Sequence, residues 1–197
     1  ASSMTSETVN FYNTTAKEYV ADKETPNPRL PAFLERCKAK GRILELGTGG
    51  GVDAEAILKS GFVLDATDGS SELAAIAAQR LGQPVQTMLF NELDAVEVYD
   101  GVYACAALTH APRADLGDVV ERIHRALHDN GVVWASFKVG TNEGTDAFGR
   151  YYNLLPQDEL TAIWREAATW RILETETWLG SGYDRKPTQW AAITAIK

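Results

Sequence analysis

From residue 42 onward, short apolar runs alternate with stretches whose apolar residues recur at helical spacing. Residues 42–47 (Arg-Ile-Leu-Glu-Leu-Gly) read as a strand ending in a glycine turn, and 52–59 as the helix after it. A second strand is expected over 62–67 and a second helix over 70–81, capped by Ser70 or Ser71. A serine oxygen there accepts an otherwise unpaired backbone N–H. Residues 85–89 and 99–107 read as a third and a fourth strand. The pattern is clearest after Pro112, where Leu116, Val119, Val120, Ile123 and Leu127 fall on one helical face. Pro112 suits the first turn of that helix and Gly131 its exit. A fifth strand over 131–137, a helix over 156–167 and two strands near 170–179 and 188–196 complete the pattern.

Strands that alternate with helices pair in parallel, because parallel neighbours need a crossover and a helix is the usual one. The last two strands have only a loop between them and should be antiparallel. The expectation is an α/β, Rossmann-like, doubly wound sheet of seven strands, mostly parallel, with an antiparallel last strand. Residues 1–197 read as a single domain: an N-terminal helical segment over 4–40 laid against an α/β core over 41–197. Ala1-Ser2-Ser3 ahead of Met4 read as an expression scar.

Composition narrows the function. Hydrophobic residues make up 45% and charged ones 23% of 197 residues, as in ordinary globular proteins. The net charge of −8, with no concentrated basic patch, disfavours a nucleic-acid partner. No apolar run approaches the roughly 20 residues of a membrane span, so no membrane association is expected. Cys37 and Cys105 lack zinc spacing and read as reduced, structural thiols of a cytoplasmic protein, with no metal site.

The candidate chemistry lies in Glu45-Leu46-Gly47-Thr48-Gly49-Gly50-Gly51, between the first strand and its helix. Glycines there let the backbone approach a ligand, and the helix start offers free N–H groups. A dinucleotide fingerprint would require glycine at position 52, where this chain has Val52. Glu45 would repel a pyrophosphate but suits a cationic ligand. Asp68 ends the second strand, where a carboxylate can accept hydrogen bonds from ribose hydroxyls.

ILELGTGGG, LDATDGSSELAAIAA, YDGVYACAALTH and IHRALHDNGVVWASFK, in this order, resemble the successive motifs of class I S-adenosylmethionine-dependent methyltransferases. Among these, the chain is most similar to small single-domain members of the tellurite-resistance or generic type, over about residues 7–197. The resemblance implies S-adenosylmethionine as cofactor, with Gly47, Thr48, Gly49 and Gly51 along its methionine portion and Glu45 beneath. It places the ribose on Asp68, with Gly69 and Ser70 alongside the adenosine. Leu89 and Phe90 would flank the adenine, and Ala104, Cys105 and Ala106 would lie under the cofactor. Tyr12 and Tyr19 match aromatic positions of a lid, FYNTTAKEYV.

The chain departs from the family's pattern twice. Phe90-Asn91 stand where an acidic residue often meets the adenine amino group, and His128-Asp129-Asn130-Gly131 replace the usual Lys-Pro-Gly-Gly turn. His110 stands at the mouth of the implied acceptor pocket, as a base, a polar wall or a helix cap. Lys138, Arg150, Tyr151 and Tyr152 are candidate acceptor contacts, although Arg150 could equally be a solvated surface charge; residues 140–149 read as a mobile surface loop. His124 and His128 read as surface or capping residues, and the five tryptophans as core. The expected partner is a small-molecule acceptor, and the expected state a monomer or homodimer. Two other readings stay open: a non-catalytic S-adenosylmethionine-binding sensor, and a nicotinamide-dependent oxidoreductase, which Val52 and Glu45 disfavour.

Overall fold

A computed structural model describes residues 4–22 and 25–197, with residues 18–22 described by backbone alone. Helix α1 (Ser6–Asp22), kinked at Thr15, and α2 (Leu30–Arg36) precede the sheet. The sheet is built from β1 (Arg42–Leu46), β2 (Val63–Asp68), β3 (Gln86–Thr87), β4 (Tyr99–Ala104), β5 (Leu127–Lys138), β8 (Ile172–Ser181) and β9 (Pro187–Ile196). Helices α3 (Val52–Lys59), α4 (Ser71–Leu81), α5 (Arg113–Ala126) and α6 (Gln157–Ala167) connect them. A small hairpin, β6 (Gly144–Thr145) and β7 (Tyr151–Tyr152), stands apart.

The strand order is β3-β2-β1-β4-β5-β9-β8. The pairs from β3 to β5 are parallel, and β9 runs antiparallel to both neighbours, β5 and β8. This is the doubly wound sheet with an antiparallel last strand that the alternation of patterns implies. The chain leaves β1 toward β2 on one side and returns to β4 on the other. That reversal opens a crevice at the carboxyl ends of these strands, where such sheets hold ligands.

Burial of both sheet faces explains the near-continuous apolar strands. Along β4 and β5 the side chains divide with the two-residue period of a strand. Val102, Ala104, Val133, Ala135 and Phe137 join Leu116, Val119, Val120, Ile123 and Trp164 of α5 and α6 in one core. Tyr103, Val132 and Trp134 face the other way, onto Phe33, Leu34 and Ile57 of α2 and α3. Of the tryptophans, Trp134 and Trp164 are buried, whereas Trp170, Trp178 and Trp190 are half-buried.

Three segments differ from the periodic reading. Leu127 is the first residue of β5 rather than the last of the α5 stripe; it has turned extended (φ −81°, ψ 141°) and pairs with Tyr99. The turn expected over 128–131 is an excursion within β5, since the pairing jumps from Tyr99↔Leu127 to Gly101↔Val132. Asn130 supplies the left-handed residue there (φ 68°). The third strand shrinks to two residues, and the chain then turns through a short 3-10 helix, Phe90–Glu92. The stretch over 140–149, expected as a mobile loop, enters the β6–β7 hairpin.

Close packing at the centre of the sheet is tightest at Gly101, where an added Cβ would lie 2.7 Å from Cys37 Sγ and 2.7 Å from Ile43 Cδ1. Burial pushes the Cys37 thiol up to about 12, so it serves as a small apolar group. Overpacking such a core costs about 1–3 kcal/mol. Gly101→Ala should lower the unfolding free energy by that amount in urea titration at unchanged slope; unchanged stability would show that the sheet and α2 are less tightly joined.

Candidate active site

The glycine turn is held open by backbone geometry and by its neighbours. Gly47 adopts φ 76°, and a Cβ there would fall 2.7 Å from Ala107 Cβ, so only glycine fits between the two loops. Thr48 N–H donates to Thr67 C=O at 2.8 Å, which extends the β1–β2 pairing one residue into the turn. Asp68, at the end of β2, accepts from Gly49 N–H at 2.8 Å through Oδ2 and from Ser70 N–H at 2.9 Å through Oδ1. Burial raises its pKa to about 6, against the pull of those two backbone donors. Ser70 caps α4 by accepting from Leu73 N–H, and its hydroxyl donates to Asn13 Oδ1 at 2.6 Å, which ties α1 to the same corner.

These segments enclose a cleft lined by Gly47 to Gly50, Asp68 and Gly69 on one side and Phe90 and Cys105 to Ala107 on others. Met4, Tyr12 and His110 close its end. Thr48 Oγ1 is buried on this lining with no hydrogen-bond partner among the described residues. Buried hydroxyls are nearly always paired, so its position favours a polar ligand in the cleft. Glu45 is 2% exposed, behind the lining, and Thr67 Oγ1 donates to its backbone carbonyl at 2.7 Å.

Beyond Tyr12 and His110 lies a second cavity, lined by Thr109, Arg150, Tyr152, Tyr183 and Trp190 among others. Tyr12, Ala106 and His110 line both spaces, so the two adjoin. His110 Nδ1 lies 2.8 Å from the Tyr151 carbonyl and Nε2 2.9 Å from the Tyr12 hydroxyl. A carbonyl only accepts, so Nδ1 carries the proton and Nε2 accepts from Tyr12. Burial lowers the His110 pKa to about 4, with the Arg150 charge adding to the effect, and the ring is neutral at pH 7.

Arg150 is 2% exposed, not a solvated charge. Its Nε and Nη2 hold Asp146 Oδ2 at 2.9 and 2.8 Å, and its Nη1 donates to the Tyr12 hydroxyl at 3.3 Å. The rings of Phe11, Tyr152, Tyr183, Phe148 and Tyr12 surround its guanidinium at 4.9 to 6.0 Å.

A methyltransferase-domain family model matches residues 44–133, from β1 into β5. That stretch, which holds the glycine turn and Asp68, resembles a methyltransferase domain. No curated protein matches it by sequence. Solved structures share its fold at low identity. The Burkholderia thailandensis 1,6-didemethyltoxoflavin-N1-methyltransferase, solved with 1,6-didemethyltoxoflavin and S-adenosylhomocysteine, is 21% identical over 94% of this chain and 84% of its own (TM-score 0.74). A Haemonchus contortus phosphoethanolamine N-methyltransferase, solved with S-adenosyl-L-methionine, is 18% identical over 98% of this chain and 60% of its own (TM-score 0.75). The cyclase SpnF is 16% identical over 100% and 97% (TM-score 0.74).

The cofactor residues expected from the sequence divide by position. Tyr12, Gly47, Thr48, Gly49, Asp68, Gly69, Phe90, Cys105 and Ala106 line the first cleft. Glu45, Gly51, Ser70, Leu89 and Ala104 stand behind that lining, Ala104 wholly within the core. The side chain of Tyr19 lies outside the described residues. Of the acceptor candidates, Arg150 and Tyr152 line the second cavity; Lys138 and Tyr151 stand just outside it. Lys138 Nζ lies 4.6 Å from the Tyr152 ring centroid. Among the described residues, no group of three or more His, Cys, Asp or Glu side chains could hold a metal, and no helix is long and apolar enough to cross a membrane.

Two residues escaped the sequence reading. Asn153 is fully buried, and its Nδ2 donates to the carbonyls of Leu108 at 2.9 Å and Ala111 at 3.0 Å, clamping the 3-10 turn that bears His110. Arg113 donates to the carbonyls of Asn153, Thr141 and Leu154, pinning the hairpin segment to the start of α5. A cation in the first turn of a helix opposes the dipole; that misplacement was the available signal.

His110 binds a proton more readily in the unfolded chain, near pH 6.5, than in the folded one, near 4. Its contribution to stability is therefore full above the unfolded value and is lost as pH falls from 6.5 toward 4, by at most about 3 kcal/mol. Asp68 works oppositely: its raised pKa favours the folded state as pH falls through 6. The destabilisation caused by His110→Asn, measured by urea titration, should accordingly shrink between pH 7 and pH 4.5. A constant difference across that window would contradict the buried neutral ring.

Proposed function

We propose that this domain transfers a methyl group from S-adenosylmethionine to a small-molecule acceptor, by direct in-line displacement. The observation that carries the reading is the first cleft: a glycine turn, the carboxylate of Asp68 and the buried Thr48 hydroxyl, at the point where strand order reverses. When bound, S-adenosylmethionine supplies a methyl carbon made electrophilic by its sulfonium, so no covalent enzyme intermediate is needed.

The chain's own residues bind, orient and exclude water. Asp68 accepts one backbone hydrogen bond at each oxygen, which leaves lone pairs on both for ribose hydroxyls. Backbone N–H groups of the turn and the Thr48 hydroxyl address the methionine portion, and the Glu45 charge behind them favours a cation. Helix α1, tied to α4 through Asn13, brings Tyr12 across the end of the cleft. His110, neutral and engaged at both nitrogens, positions Tyr12 rather than removing a proton from the acceptor.

The solved structures of like fold support a small acceptor, since one is bound to 1,6-didemethyltoxoflavin and another is a phosphoethanolamine N-methyltransferase. A second reading is cofactor binding without methyl transfer, since a structure whose fold spans this whole chain, SpnF, is a cyclase rather than a methyltransferase by name.

Isothermal titration with S-adenosylhomocysteine tests the cofactor. Wild type should bind, and Asp68→Ala should weaken binding at least about tenfold, or ~1.4 kcal/mol. Equal binding by the variant would remove Asp68 from the site. Formation of S-adenosylhomocysteine across a panel of small acceptors separates the two readings, because a binder without transfer produces none.

A further inference from the structure

We propose that the second cavity takes a flat aromatic or heteroaromatic acceptor in anionic form, with its negative charge toward Arg150 and Lys138. This rests on the methyl-transfer reading only in naming the occupant an acceptor; the preference for a flat anion comes from the cavity itself.

Five of its ten lining residues carry rings: Tyr12, His110, Tyr152, Tyr183 and Trp190. Aromatic walls favour a planar guest, which stacks offset or edge-on against them. No carboxylate lines the cavity. On a chain with a net charge of −8, the cations gathered here stand out. Asp146 neutralises Arg150, but guanidinium carries five N–H donors and the three contacts to Asp146 and Tyr12 leave donors over. Lys138 adds a second charge. Its Nζ lies over Tyr152 and 3.6 Å from the point where a Cβ of Gly182 would stand, both cavity-lining residues, and it has no carboxylate within 4.0 Å among the described residues. Asp184 Oδ1, which accepts from Lys186 N–H, stands 3.3 Å from that same point, so one carboxylate neighbours Lys138 at the rim without lining the cavity.

A cationic acceptor fits less well. Rings that could cage an ammonium group already surround the Arg150 guanidinium, so a second cation would meet like charge.

The test is calorimetric titration of the S-adenosylhomocysteine-loaded protein with four probes: benzoate, benzamide, cyclohexanecarboxylate and benzyltrimethylammonium. Benzoate should bind at least about tenfold more tightly than each of the other three. Lys138→Gln should weaken benzoate several-fold while leaving benzamide and S-adenosylhomocysteine unchanged. Benzamide, cyclohexanecarboxylate or the ammonium probe binding as well as benzoate would overturn the proposal. So would full benzoate affinity in Lys138→Gln, or no benzoate binding up to about 20 mM. Repeating the benzoate series without S-adenosylhomocysteine keeps the two readings apart, since failure to bind the nucleoside sinks only the cofactor assignment.

Discussion

Parallel pairing of β1 with β2 and β4 is the constraint on which the rest depends. Parallel strands run out at the same edge, so whatever follows each of them is delivered to one place. Here that edge receives the glycine turn after β1, Asp68 at the tip of β2 and the Cys105–Ala107 segment after β4. Asp68 then joins two of these segments by taking N–H groups from both Gly49 and Ser70. A buried carboxylate is expensive unless hydrogen-bonded, and these contacts fix the turn as they satisfy the charge. The raised pKa of Asp68 is the residue of that cost.

The second cavity is organised differently. It is assembled from distant segments around a single buried cation: α1 gives Phe11 and Tyr12, the hairpin gives Phe148 and Tyr152, and the turn before β9 gives Tyr183. Arg150 can be buried because Asp146 pairs with it and the rings face it. Removing either partner would leave an uncompensated charge, so this cation holds three segments to one another. Asn153 and Arg113 complete the frame by securing backbone carbonyls of the His110 turn and of the hairpin segment. The solved structures that share this fold include methyltransferases and a cyclase, so the fold by itself does not fix the chemistry.

The sheet and its first cleft were largely legible in the sequence because their signals are local. Two-residue and 3.6-residue periods, a glycine turn between a strand and a helix, and an acid at the end of the next strand all follow from backbone geometry at nearby positions. Leu127 was misplaced because it is buried in either role, and periodicity cannot decide where a helix gives way to a strand. The residues over 140–149 read as a loop because glycine and charge say nothing of a hairpin held by Arg113 from 28 to 41 positions away. Arg150 was ambiguous for the same reason: its burial depends on rings from α1 and from the turn before β9. Tyr12 lines the first cleft, yet its hydrogen bonds to His110 and Arg150 leave no trace in the sequence, since they span 98 and 138 positions.

The most direct measurement is a crystal structure of the protein grown with S-adenosylhomocysteine. The account predicts the ligand in the cleft between the glycine turn and the Ala106–Ala107 segment, its ribose hydroxyls on the Asp68 carboxylate and its sulfur facing the cavity shared by Tyr12 and His110. Ligand density elsewhere, or a ribose held without Asp68, would contradict it.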